Sequence, residues 1–183
     1  MSVRAAVRTG RTTIGGMSRS VPPSLPGRGG LKRDPALVPL SRDHHFTLRH
    51  ALWLRRASAA SDLRAAVPVA RDYLVFHRDE LTPHMGDEES IVFPAFAEFD
   101  PAGTERLRSE HRQIDSLTAR LGSALDAGDD PRGSMAEIAS LLDDHVRYEE
   151  RAYFMVLQER LPASVLRAIG EAIAQRARVC PTR

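Results

Sequence analysis

The chain has 183 residues, 42% of them apolar and 27% charged, which suffices for one sizeable core and by length implies one domain plus a tail. Its single cysteine, Cys180, excludes a disulfide framework and a thiolate metal site, so any bound metal must be held by nitrogen and oxygen. No apolar run approaches the ~20 residues of a membrane-spanning helix, and the start lacks the apolar stretch of a secretory signal, so a cytoplasmic protein without membrane contact is expected.

The net charge of +2 conceals an uneven distribution. Residues 1–33 carry seven basic side chains and no acid, leaving 19 basic against 24 acidic residues in 34–183. The body is therefore acidic, and the basic character belongs to the tail, which argues against nucleic acid binding by the folded part. Residues 1–36, with Gly15, Gly16, Pro22, Pro23, Pro26, Gly27, Gly29 and Gly30, lack periodicity and read as a disordered arm. An organellar transit peptide, or a true start at Met17, are the alternatives.

From Leu37 onward the pattern is helical, with no strand alternation. A first helix opens at Ser41 as N-cap and runs through Leu48 and Leu52 to near Ala60. Pro68 fits the first position of a second helix, which continues to about Phe93 with a kink at Pro83, just before His84. Asp100-Pro101 starts a third helix ending near Gly128, and Asp130-Pro131 starts a fourth ending near Arg160. Residues 161–183 form a short fifth helix, with Val165, Leu166, Ile169 and Ile173 on one face, and a tail. Four long helices joined by short turns predict an all-α protein, with an antiparallel up-down four-helix bundle over 37–160.

One ten-residue word organises this bundle. His84-Met-Gly-Asp-Glu88-Glu89-Ser-Ile-Val-Phe93 is repeated as His145-Val-Arg-Tyr-Glu149-Glu150-Arg-Ala-Tyr-Phe154, with His, Glu, Glu and Phe at identical offsets. On a helix, His at i and Glu at i+4 project from one side a turn apart, so a ring nitrogen and a carboxylate oxygen converge. Counting from the turns, the other two helices bring His111, and either His44 or His45, to the same level. Six nitrogen and oxygen donors then face one another, enough for two metal ions bridged by two carboxylates.

Not every neighbour belongs to that set. His50 reads as an exposed or hydrogen-bonded histidine. His77 stands two turns before His84, ~10 Å along the axis, and reads as a core or supporting residue rather than a ligand. Glu89 and Glu150 read as hydrogen-bond acceptors or solvated groups, and Phe93, Phe154 and Met155 as core that keeps water out. His45 is preferred over His44 because Leu48 and Leu52 follow it at +3 and +7, much as Ile114 and Leu117 follow His111.

The words Leu40-Ser-Arg-Asp-His44-His45, His84-xxx-Glu88-Glu89, Glu110-His111-xx-Ile114 and His145-xxx-Glu149-Glu150 resemble those of the hemerythrin-like, cation-binding HHE family over roughly 37–160. The resemblance implies metal ligands at His45, His84, Glu88, His111, His145 and Glu149, holding two iron ions with carboxylate and oxo or hydroxo bridges. It is closest to the bacterial four-His, two-Glu branch, because Asp115 stands where the oxygen carriers have a further histidine. Imidazoles with bridging carboxylates suit iron best and manganese next. The Glu-x-x-His of ferritin-like bundles does not occur in the chain. The implied function is binding of, or reaction with, a diatomic gas (O2 or NO) or peroxide, in sensing or in redox and stress protection; an oxidoreductase or peroxidase-like activity is compatible with it. A reversible oxygen store or iron donor, and a metal-free helical interaction module, are the alternatives.

Overall fold

The computed structural model describes residues 32–179, and among them every regular element is helical. The chain divides into two units, Met1–Lys32 and Arg33–Arg183, and the helices among the described residues belong to the second. The expectations for 1–31 and for Cys180 lie outside the described residues.

Helix α1 spans Val38–Ser58, starting three residues before the expected Ser41. Asp34 makes the entrance: its side chain accepts the Ala36 N–H at 2.9 Å and its carbonyl accepts the Leu37 N–H at 3.0 Å. Pro39 then occupies the first turn, where a missing N–H leaves no bond unmade. Residues 33–36, assigned to the arm on sequence, are part of the folded body, since Ala36 and Leu37 are buried.

Helix α2 covers 63–96 and opens at Leu63, where the Asp62 carboxylate accepts the Arg64 N–H. Pro68 lies inside it rather than at its first position. The proline deprives the Arg64 carbonyl of its donor, and Arg64 is exposed, so water replaces the bond. Pro83 also lies inside the helix, as expected. It follows a widened π-turn, His77–Leu81, closed by the Thr82 N–H on the His77 carbonyl, and the wider turn makes room for the ring.

Helix α3 is Pro101–Ala127, capped by Asp100 on Gly103 N and ended by Gly128 at φ 75°. The Asp129 N–H reaches back to the Ala124 carbonyl at 2.8 Å, a closure that requires a left-handed residue at 128, hence glycine. Helix α4 covers 132–160, with Asp130 accepting the Arg132 N–H. Helix α5, Ala163–Val179, is longer than expected and buries Leu166, Ile169 and Ile173. A side chain at Gly170 would meet the Ala36 Cα at 3.0 Å, so glycine permits α5 to lie against the start of the body. Among the described residues no helix is long and apolar enough to cross a membrane.

Two apolar clusters form the core. One gathers Leu54, Tyr73, Ile114, Leu121, Ile138 and Leu142; the other gathers Leu40, Phe93, Phe96, Phe154 and Leu157 with the α5 residues. Each fully buried Leu or Phe contributes ~1.5–3 kcal/mol. Along α1 and α3 the chain passes from the second cluster to the first, and along α2 and α4 it passes back. Between the clusters, every one of these four helices presents a histidine.

Candidate metal centre

His44, His84, Glu88, His111, His145 and Glu149 meet in that interval, each 2% exposed or less. His45, the residue chosen on sequence, is exposed, and His44 takes its place. The phase of α1 is set by Leu40, His44, Thr47, Ala51 and Leu54, all buried at three- and four-residue spacing. Leu48 and Leu52, which favoured His45, flank that stripe, and Leu52 is 41% exposed.

Two donor groups emerge, His44–His84–Glu88 and Glu88–His111–His145, each with one ligand atom per residue within 4.8 Å of the others. Glu88 is common to both. Its Oε1 lies 2.9 Å from His84 Nε2 and its Oε2 lies 3.4 Å from His111 Nε2. Glu149 faces it from α4, with Oε2 3.3 Å from His44 Nε2 and 3.6 Å from His145 Nε2.

Both glutamates begin a π-turn. Glu88–Val92 is closed by the Phe93 N–H on the Glu88 carbonyl, and Glu149–Tyr153 by the Phe154 N–H on the Glu149 carbonyl. The repeated word is therefore one conformation used twice: a turn of α-helix from His to Glu, then one wide turn from Glu to Phe.

Each histidine also has an acid on its outer nitrogen, contributed by a different helix. His44 Nδ1–H donates to Glu150 Oε1 at 2.7 Å, His84 to Asp43 Oδ2 at 3.4 Å, His111 to Glu89 Oε1 at 2.9 Å and His145 to Glu110 Oε2 at 2.9 Å. A carboxylate only accepts, so Nδ1 holds a proton and Nε2, the nitrogen open to a metal, faces inward. The supports pass round the bundle: α4 holds the ring on α1, α1 that on α2, α2 that on α3, and α3 that on α4. Arg33 pairs with Glu150, and Arg106 with Glu110 at 2.7 Å. Phe154 lies against His44 and Phe93 against His111, both at 22° between ring planes.

The sequence reading missed Asp43 and Glu110 in this role. Their signal is adjacency: each directly precedes a central histidine, as Glu89 and Glu150 directly follow a central glutamate. His77 does not support the centre. Its Nε2 bonds Asp115 at 2.9 Å, and Asp115, one turn beyond His111, is 57% exposed. His50 is buried rather than exposed and stacks on Phe76 at 4.0 Å.

The electrostatics call for a cation. Both oxygens of Glu88, both of Glu149 and the Nε2 of His111 are buried without a hydrogen-bond partner. A buried carboxylate in that condition is costly unless a positive charge meets it. Burial works against charge on the imidazoles, yet the carboxylates outweigh it: Glu88 and the Asp43 bond raise His84 to about 9, and Glu149, Glu150 and Glu88 raise His44 well above its ordinary value. Burial likewise opposes ionisation of Glu88, but His84, His111 and His44 hold its pKa well below normal. Inward Nε2 atoms, 3.1 Å apart for His44 and His84, and unpartnered carboxylate oxygens form a donor set that fits hard or borderline metal ions.

A helical bundle enclosing two histidine groups that share a glutamate could hold metal through nitrogen and oxygen donors alone. The family model described as the hemerythrin HHE cation-binding domain matches residues 37–157, and the chain belongs to that family. Neither the curated proteins nor the solved structures contain a match to it.

Proposed function

We propose that the chain is an antiparallel up-down four-helix bundle holding two iron ions, and that it binds or reacts with O2, NO or peroxide in sensing or redox protection. His44 and His84 would hold one ion and His111 and His145 the other, with Glu88 and Glu149 available to both; manganese is the next best fit. When bound, an iron pair supplies one-electron chemistry and positions that exchange small ligands.

The protein's own residues do the rest. The four acids hold the imidazole rings in one orientation, so the donors are arranged before a metal arrives. Phe93 and Phe154 cover His111 and His44 and exclude water, which strengthens every charge interaction inside. The observation that carries the reading is the set of five buried polar atoms without partners, all on residues facing one another. Without a metal, only protons on the surrounding imidazoles offset the carboxylates.

Reaction or sensing is favoured over reversible carriage by Asp115. Held by His77 and largely exposed, it adds no seventh donor to the six side chains that would hold two ions. Metal analysis and visible spectra of the protein purified without added metal, then exposed to O2, peroxide and azide, test this. Two irons per chain and rapid oxidation are expected. Zinc, or one ion per chain, would overturn the iron-pair reading, and a stable oxygenated form that releases O2 under vacuum would restore the carrier.

A further inference from the structure

A cleft of about 450 Å³ opens between α1 and α2. It shares the walls Asp43, Phe46, Phe76 and Glu80 with an inner chamber that Thr47, Leu81 and His84 complete. The chamber offers about 10 Å³ for the centre of a water-sized molecule, room for one such molecule. Its inner wall includes His84, a member of the first donor group. Another hollow, between Pro35–Ala36 and α5, touches none of the six central residues.

The ring of acids is loosest at this point. The Asp43–His84 bond, at 3.4 Å, is the longest of the four acid–histidine bonds, the others measuring 2.7 to 2.9 Å. His44 and His111 lie under phenylalanines, whereas among the described residues His84 stacks only on His44 and His145 only on His111. Phe46, at the neck, is 47% exposed, and Val75, on the cleft wall, is 49% exposed; neither is held in the core.

The mouth has a sign. Asp43, Asp72, Asp79 and Glu80 line it against a single guanidinium, Arg49. Arg78 offsets Asp79. His50, beneath Phe76, adds no charge, because burial and the neighbouring Arg49 lower it to about 4. The mouth therefore stays net negative, and such a field repels anions while leaving neutral molecules alone.

We propose that small neutral molecules reach the centre through this cleft, past Phe46 and Phe76 to the His84 side, and that its carboxylates exclude anions. The inference rests on the metal-centre reading and adds to it a route and a ligand class: neutral diatomics and hydrogen peroxide, with azide and superoxide disfavoured.

Stopped-flow mixing of the iron-loaded full chain with NO and with azide tests both parts. Phe46→Trp should slow both reagents about tenfold, the effect of overfilling a channel this narrow. Val75→Trp serves as a second obstruction should the first disturb folding, and Phe99→Trp, an exposed site outside the cleft, should change nothing. The pair Asp72→Asn with Glu80→Gln should speed azide about three- to tenfold at low salt and flatten its salt dependence, leaving NO unchanged. If Phe46→Trp and Val75→Trp leave both rates intact at full iron content, the route is wrong. If azide and NO respond alike to the neutralised mouth, the charge filter is wrong. Relaxation of the Thr47 and Leu81 methyl signals by dissolved O2 gives an iron-independent reading. In a chain that binds no iron, strong relaxation there would sink the metal centre and keep the route, and relaxation no stronger than at Ile138 would sink the route as well.

Discussion

Glu150 accepts the Nδ1–H of His44 at 2.7 Å across a separation of 106 residues, and Phe154, four residues further on, lies against the same ring. Glu89 and Phe93 do the same for His111. Each repeated word thus supplies two central donors of its own and fixes the histidine of another helix. Glu150→Gln keeps an acceptor but removes the charge and the ion pair with Arg33, leaving the Arg33 bond to the Glu150 carbonyl. Metal affinity should fall ~10- to 100-fold. Chelator competition measures it, and an unchanged affinity would mean that the outer acids do not shape the centre.

Exchange of His44 and His45 tests the helix phase directly. His44→Ala should remove most of the metal from the first group, while His45→Ala, at an exposed position, should spare both metal and stability. Metal content by elemental analysis reads the outcome, and the reverse result would show α1 rotated by one residue.

Glu88→Gln tests the shared carboxylate. Bound metal should drop below half, since both donor groups lose a member. The metal-free variant should melt below the metal-free parent near neutral pH when both are followed by circular dichroism, because Glu88, held charged by His84, His111 and His44, offsets charge on those buried imidazoles. A metal-free variant as stable as its parent would refute that pairing.

Acidity should act in opposite senses with and without metal. His84 is raised from 6.5 to about 9, burial notwithstanding, by Glu88 and Asp43, so its contribution is complete below pH 6.5 and lost as pH rises through 9. Glu150 is lowered from 4.5 to about 2 by His44, Ser41 and Arg33 despite burial, so its contribution holds above 4.5 and is lost as pH falls toward 2. The metal-free protein should therefore be most stable between these limits and weaken toward pH 9. Metal binding must displace those protons, so metal retention should improve over the same rise. Melting curves across pH with and without metal decide it, and a metal-free protein more stable at pH 9 than at pH 6 would refute the assignment.

Truncation tests the boundary of the body. A chain beginning at Lys32 should keep its helix content and its metal. Arg33→Ala in the full chain should weaken metal binding, because Arg33 holds Glu150 through both its side chain and its carbonyl. Loss of metal in the shortened chain with Arg33 present would place a needed contact within 1–31.

The signals that read truly from sequence were local ones. Asp100-Pro101 and Asp130-Pro131 mark helix starts because the cap and the proline act within one turn. The His-to-Glu spacing brings its residues together because it lies within a single regular turn, and five of the six named residues do meet. The phase of α1 was hidden, since Thr47, His50 and Ala51 fill inward positions that an apolar count passes over. Pro68 misled because proline tolerates an exposed second turn as well as a helix start. The π-turns were invisible to a period of 3.6, and the acid ring depends on which helices are neighbours, which no single helix encodes.

The division of labour between the two words has a combinatorial consequence. The hairpin α1–α2 contains Asp43 for its own His84 but borrows Glu150 and Phe154 for His44; the hairpin α3–α4 contains Glu110 for its own His145 but borrows Glu89 and Phe93 for His111. Each hairpin lends what the other lacks, the reciprocity of an exchanged dimer written into one chain. Cleaved in the 97–100 connection, the two hairpins should complement one another in trans, and neither should assemble a centre alone.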